Sequence, residues 1–261
     1  MADKFAIITG ASTGIGFELA TLAAKDGYDI LVVADEALID AAAQDFKQFG
    51  TDVQSLQADL STIEGVDQLL AATNGRTIDL VCANAGRGLG KAFLDQDLAE
   101  WRKVVDTNVI GTAYLLQKTL PPMVTRNAGK VLVTGSIAGY IPGAFQAVYN
   151  GTKSFVDSFV AAIQNEIKDA DGVTLTNLMP GPVDTEFFDR AHMMDTDVGT
   201  DPKKSDPADV AKDGWDALMS GKAAVVSGWK NKVQSAIANV TPNAVLAEMH
   251  RKMAEPGTAN D

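Results

Sequence analysis

Short unbroken runs of apolar, strand-favouring residues recur along the chain, at 5–9, 29–34, 52–58, 78–83, 130–134, 173–179 and 223–227. Between them, apolar residues return every three or four positions instead. Ile15, Leu19, Leu22 and Ala23 form one such stripe before Gly27. Leu38, Ala42, Phe46 and Phe49 form another before Gly50, and Phe155, Phe159, Ile163 and Ile167 form a third. The first pattern predicts seven strands and the second amphipathic helices, with Gly27 and Gly50 placed to terminate theirs. Strands that are apolar on both faces need cover on both sides. Strands joined by helices pair in parallel, because a parallel return needs a long crossover. The predicted architecture is therefore α/β: three layers, doubly wound, around a seven-stranded, mostly parallel sheet. Ligands of such sheets bind beyond the carboxyl ends of the strands.

The 261 residues suffice for one large domain of this kind, spanning 1–261. The polar segment 195–209, with Pro202 and Pro207, reads as a mobile loop, and the tail 256–261 as disordered. Val233, Ile237, Val240, Val245, Leu246 and Met249 predict a C-terminal helical extension over about 229–254, interrupted at Pro242. A net charge of −12 repels phosphate backbones and anionic lipid, so neither nucleic acid nor a membrane is an expected partner. No run approaches the roughly 18 apolar residues of a membrane span, and the run at 5–9 is too short for a secretory signal. A cytoplasmic location is the default expectation. The single cysteine, Cys82, sits inside an apolar run and reads as a buried strand residue rather than a nucleophile. His192 and His250 are far apart in sequence, and no metal site is expected.

Directly after the first run comes Thr9-Gly10-Ala11-Ser12-Thr13-Gly14-Ile15-Gly16, opening the first helix. A strand-to-helix turn without bulky Cβ atoms lets backbone N–H groups and a helix N-terminus face an anionic pyrophosphate. The position of this turn, between a strand and an amphipathic helix, makes it a candidate dinucleotide site. Its spacing is Gly-xxx-Gly-x-Gly.

Further motifs follow in order: Asp59-Leu60, Asn84-Ala85-Gly86, Asn108, Ser136, Tyr149-xxx-Lys153 and Pro180-Gly181. With the glycine turn, this ordered set resembles the compact branch of the short-chain dehydrogenase/reductase family over about residues 4–190. The resemblance implies a Rossmann-type dinucleotide-binding fold and residue roles. Asp59 and Leu60 would line the adenine pocket, and Asn84, Ala85 and Gly86 would contact the adenosine side. Pro180, Gly181, Val183 and Thr185 would border the nicotinamide carboxamide. Asn108, Ser136, Tyr149 and Lys153 would form the catalytic tetrad. Ala83 stands where the family usually has a first Asn of Asn-Asn-Ala-Gly.

The tetrad makes chemical sense. Tyr149 and Lys153 are four residues apart, which on a helix puts both side chains on one face. A free phenol titrates near about 10; an adjacent ammonium favours its phenolate and makes Tyr149 a usable acid/base. Ser136 would donate to a substrate oxygen, Lys153 would also hold ribose hydroxyls, and Asn108 would hold a water that relays protons. For the cofactor, Asp35-Glu36 follows the second strand. A carboxylate there suits ribose hydroxyls and repels a 2′-phosphate. This favours NAD(H), with NADP(H) as the alternative. In many NAD-using relatives the acid aligns with Ala34, so the two acids can also be read simply as a favourable start to the next helix.

The expected activity is NAD(H)-dependent interconversion of a secondary alcohol and a ketone or aldehyde. An NADPH-dependent carbonyl reductase is one alternative, and a non-catalytic dinucleotide sensor another. The segment 184–209 is expected to act as a substrate lid. Tyr140, Phe145, Phe187, Phe188 and His192 are candidate substrate contacts, with Ile141, Arg87 and Leu89 beside them. The partner is a small alcohol or carbonyl compound. By resemblance the chain forms a homodimer or homotetramer through helices around 107–127 and 145–168.

Overall fold

The structure is a computed structural model, and it describes residues 4–259. Seven strands, β1 (Phe5–Thr9), β2 (Asp29–Ala34), β3 (Val53–Gln57), β4 (Leu80–Ala83), β5 (Gly129–Thr134), β6 (Val173–Met179) and β7 (Ala224–Val226), form one sheet. Their order is β3-β2-β1-β4-β5-β6-β7, and every neighbouring pair is parallel. The apolar runs predict these strands to within two residues at each end.

Helices cover both faces. On one side lie α1 (Gly14–Lys25), α2 (Leu38–Phe46) and α9 (Pro207–Met219); on the other lie α3 (Ile63–Ala72), α5 (Thr112–Thr125) and α6 (Ala147–Glu166). Alternation along a strand feeds the two layers separately. Ala6 and Ile8 of β1 pack with Leu19, Phe46 and Trp215, while Ile7 between them packs with Leu116, Met123 and Val160. Cys82 is fully buried in β4, and burial pushes its thiol up to about 12, the behaviour of a core residue.

The chain leaves β1 for β2 on one side, and β4 lies on the other. At that reversal the loops after β1 and β4 diverge, opening a crevice at the carboxyl edge of the sheet. A π-helical turn, Asp106–Gly111, joins α4 (Leu98–Val105) to α5.

The segment 195–209, expected as a loop, carries more structure. It contains α8 (Asp197–Thr200), a parallel bridge from Ser205 to Val183, and the start of α9. Asp206 caps α9 by accepting from the N–H of Ala208 at 2.7 Å, and Pro207 occupies the first turn, where its missing N–H costs nothing. The tail is tied to the same segment: the N–H groups of Gly257 and Ala259 donate to the Asp195 carbonyl at 2.9 and 3.1 Å. Residues 260 and 261 of the expected disordered tail lie outside the described residues. The C-terminal extension is present as α10 (Trp229–Ala238) and α11 (Asn243–Ala254), broken at Pro242 as the sequence predicts; α7 (Phe187–Arg190) follows β6. Among the described residues, no helix is long and apolar enough to cross a membrane and no cluster of potential metal ligands occurs.

Candidate functional site

The crevice is a cavity of about 720 Å³. Its floor is the glycine turn. Gly10 and Gly14 have φ of +64° and +57°, a region that side chains with Cβ atoms rarely adopt. Gly16 is required by proximity instead: a Cβ there would stand 1.9 Å from the carbonyl oxygen of Gly10. The Thr9 hydroxyl locks this turn to the end of β4. It accepts from the N–H groups of Asn84 and Ala85, both at 2.9 Å, and donates to the Cys82 carbonyl at 3.2 Å. The Asn84 side chain completes the fastening. Its amide donates to the carbonyls of Thr9 and Gly10, each at 3.3 Å, and its oxygen accepts from the Thr134 hydroxyl at 2.9 Å. Asn84 thus joins β1, β4 and β5 beneath the cavity.

At one end of the cavity lie Asp35, Asp59 and Leu60. Asp59 accepts from the N–H and hydroxyl of Ser61 at 3.0 and 2.7 Å and pairs with Lys103 at 3.2 Å. Burial opposes its charge, but these partners outweigh burial and lower its carboxyl below the usual range. Asp35 pairs with Arg87 and lies 4.0 Å from Lys103. Ser12 donates to Glu36 at 2.5 Å, and Arg190 bridges Glu36 and Glu186. Reading the sequence finds no cation after β2 before Lys47; the fold brings Arg87, Lys103 and Arg190 to that strand end from distant segments.

At the other end stand Ser136, Tyr149 and Lys153. Ser136 directly precedes a short helical turn, Ile137–Tyr140, and its hydroxyl accepts from the N–H of Ala138 at 3.1 Å. Tyr149 and Lys153 project from the first turns of α6. Lys153 is 6% exposed; its Nζ donates to the Thr134 carbonyl at 2.7 Å and lies 5.9 Å from the Tyr149 ring centre. Burial pushes the Tyr149 phenol up to about 12, and the charge of Asp157 adds to this, while Ser136 offsets only part. Burial pulls the Lys153 ammonium down to about 8, with Asp157 opposing. The net effect on the phenol is thus a rise rather than the expected lowering, because desolvation dominates. Tyr149 rests as a neutral phenol, the form that donates a proton.

Asn108 is not among the residues lining the cavity. Its buried side chain accepts from the N–H of Arg87 at 2.8 Å and donates to the Arg87 carbonyl and the Thr152 hydroxyl, both at 2.9 Å. These contacts fix the loop after β4 against α6.

Pro180, Gly181, Val183 and Thr185 line the cavity beside Lys153, as do Phe187 and Phe188. Phe187 packs at 5.1 Å, ring centre to ring centre, on Tyr149. The other candidates, Tyr140, Phe145 and His192, do not line it, nor does the neighbouring Leu89, which is buried in the core. The Tyr140 hydroxyl donates to the sulfur of Met179 at 3.1 Å. Phe145 lies under the Arg251 guanidinium at 4.9 Å. His192 is exposed outside the cavity, 3.7 Å from Glu100. Their places are taken by Gln146, Trp229, His250 and Met253, alongside the expected Ile141. Only Gln146, one helical turn before Tyr149, had a sequence signal that could have found it.

A fully parallel doubly wound sheet with a glycine turn and a buried tyrosine–lysine pair opening on one cleft defines an α/β enzyme of the dehydrogenase class. More narrowly, the chain belongs to the short-chain dehydrogenase family, whose model matches residues 4–195, and it is an oxidoreductase. It is 32% identical over 218 residues to an uncharacterized oxidoreductase of Staphylococcus saprophyticus, covering 81% of this chain and 89% of that one. An uncharacterized oxidoreductase of Staphylococcus epidermidis is 31% identical over 186 residues, covering 70% and 79%. Among solved structures, a short-chain dehydrogenase/reductase of Burkholderia phymatum in complex with NAD superposes with a TM-score of 0.82 at 22% identity, covering 92% of this chain and 96% of that one. A short-chain dehydrogenase of Sphingobium yanoikuyae in complex with NADPH gives 0.80 at 23% identity, covering 91% and 94%.

Proposed function

We propose that this oxidoreductase interconverts a secondary alcohol and a ketone or aldehyde using NAD(H), with Tyr149 transferring the proton. The observation that carries the reading is the convergence of Ser136, Tyr149 and Lys153 on the cavity whose floor is the glycine turn. The residues present fit a dinucleotide. Gly10, Ser12, Thr13, Gly14 and Ile15 of the turn line the cavity and lie at the N-terminus of the twelve-residue α1, where a pyrophosphate is favoured. Asp35 and Asp59 would take the adenosine half; Pro180, Gly181, Val183, Thr185 and Lys153 would take the nicotinamide half. When bound, nicotinamide supplies or accepts the hydride.

The chain's own groups do the rest. The Tyr149 hydroxyl, held neutral by burial, gives its proton to the substrate oxygen during carbonyl reduction, and in reverse its phenolate takes one from an alcohol. The Ser136 hydroxyl donates to the same oxygen and stabilises charge developing there. Lys153, anchored by Thr134, keeps positive charge beside the phenol. Phe187, packed at a tilt against Tyr149, and Phe188 exclude water from the proton transfer. Retention of all these groups argues against a non-catalytic dinucleotide sensor. Assembly as a homodimer or homotetramer belongs to the same reading; Ile110 and Phe155, on the helices concerned, are 45% and 42% exposed.

One observation favours a second reading, use of NADP(H): Arg87 and Lys103 already stand at Asp35, where they would meet a 2′-phosphate. Titration with both cofactors, followed by an absorbance screen of ketones and alcohols, tests the assignment. The expected result is tighter NADH binding and ketone-dependent NADH consumption. A clear preference for NADPH contradicts the cofactor choice, and no turnover of any carbonyl or alcohol contradicts the activity.

A further inference from the structure

Two polar side chains in the cavity wall have hydrogen-bonding capacity that the protein does not use. Gln146 is 5% exposed, lines the cavity, and its amide nitrogen has no partner among the described residues. His250 is 6% exposed and reaches the cavity from α11. Its Nδ1 lies 2.8 Å from the Ala144 carbonyl oxygen. A carbonyl can only accept, so Nδ1 carries the hydrogen. Burial lowers the pKa of the ring, which keeps it neutral at pH 7. The neutral ring then presents Nε2 as an acceptor, and the ring has no other hydrogen bond among the described residues. The unused buried donor of Gln146 carries a desolvation cost that a ligand would remove.

The two groups share one support. The tight turn 143–146, closed by the Gln146 N–H on the Gly143 carbonyl at 3.0 Å, carries Gln146 at its end and the His250 partner, Ala144, within it. Gln146 stands at the N-cap position of α6, three residues before Tyr149, and its side chain makes no capping hydrogen bond. Both residues line the cavity at the start of that helix. The terminal torsion of a glutamine is soft, so the amide can turn toward a ligand at little cost.

We infer that Gln146 and His250 form a subsite for a second hydroxyl group on the substrate, placed about one helical turn from the carbon that reacts at Tyr149. The inference rests on the hydride-transfer reading and deepens it: the substrate class is a neutral hydroxy ketone, or the corresponding diol. A hydroxyl satisfies both groups at once, accepting from the Gln146 amide and donating to His250 Nε2. An ether or second ketone satisfies only Gln146, and a carboxylate would meet the His250 lone pair with its own. Ile141, Trp229, Phe187 and Met253 supply apolar wall around the subsite. Lys203 and Lys230, which also line the cavity, are matched there by Asp197 and Asp201, so the lining favours neither charge.

The test is kcat/KM for hydroxyalkyl methyl ketones of increasing length, each against the alkyl methyl ketone lacking only the hydroxyl. The expected result is at least about a tenfold preference for one hydroxylated member, because a site built to bond a hydroxyl discriminates against its absence. Gln146→Met and His250→Leu should each reduce that ratio toward one. The wild-type ratio stands even if a variant fails to fold. Equal kcat/KM within every pair overturns the subsite and leaves hydride transfer intact. Turnover of neither member of any pair, with dinucleotide binding retained, overturns hydride transfer and this inference with it.

Discussion

The Nζ of Lys153 donates to the carbonyl oxygen of Thr134 at 2.7 Å. That bond ties the helix carrying Tyr149 to the last residue of β5, so the position of the phenol is set by the sheet. The amine itself is almost wholly buried, and burial brings it down to about 8 from 10.5. Its ammonium form therefore prevails below pH 8 and is lost above it. Carbonyl reduction, measured as kcat/KM, should fall as pH rises through about 8, and Lys153→Met should lack that limb at a level roughly 10²–10⁴-fold lower. Stability moves the other way. Between 8 and 10.5 the unfolded chain binds a proton that the native Lys153 has released, so its contribution rises with pH. Denaturant midpoints across that window should show this upward slope in the wild type and lose it in Lys153→Met.

Asp157 lies one turn further along α6 and accepts from the Asn177 amide at 2.8 Å. Burial raises its carboxyl from 3.8 to about 6, against the pull of Asn177 and Lys153. The native state then holds a proton that the unfolded state has given up between those values. Its stabilising contribution is present below 3.8 and lost as pH rises through 6. Asp157→Asn should therefore gain stability relative to wild type as pH rises from 4 to 7, read from urea midpoints. A constant difference across that range contradicts the assignment.

A Cβ at position 16 would meet main-chain oxygen, which no side-chain rotation can relieve. Gly16→Ala should cost about 2 kcal/mol or more of stability and weaken dinucleotide binding, checked by Tm and Kd. Gly221→Ala is a control for backbone strain without a collision, since its φ is +73° and nothing lies within 4 Å.

Asp35 is the carboxylate that would oppose a 2′-phosphate, and Arg87 is its partner. Asp35→Ser removes the repulsion and releases the guanidinium. The Kd ratio of NADPH to NADH should shift toward NADPH by at least about tenfold, the scale of removing one like-charge contact. An unchanged ratio means that Asp35 does not face the adenosine ribose.

The sheet was legible because strands such as Leu80–Ala83 are buried on both faces and so must be apolar throughout. The glycine turn and the Tyr149–Lys153 spacing were legible because each is a local pattern. The remaining wall of the cavity depends on where the chain returns. His192 and His250 look alike in sequence, yet α11 carries the second into the cavity while the first stays outside. Arg87 and Lys103 reach Asp35 from the far side of the crevice, and no periodicity announces a long-range ion pair. Asn108 could be named from its motif, but its bonds to Arg87 and Thr152 belong to tertiary structure.

The central claim is that the Tyr149 hydroxyl moves the proton that accompanies hydride transfer. Tyr149→Phe removes that oxygen and keeps the ring that packs on Phe187. The measurement is kcat/KM for carbonyl reduction in this variant, alongside its dinucleotide Kd. The account predicts a loss of about 10²–10⁴-fold in kcat/KM, with the Kd changed by no more than about threefold, under about 0.7 kcal/mol. Wild-type kcat/KM in the phenylalanine variant contradicts it.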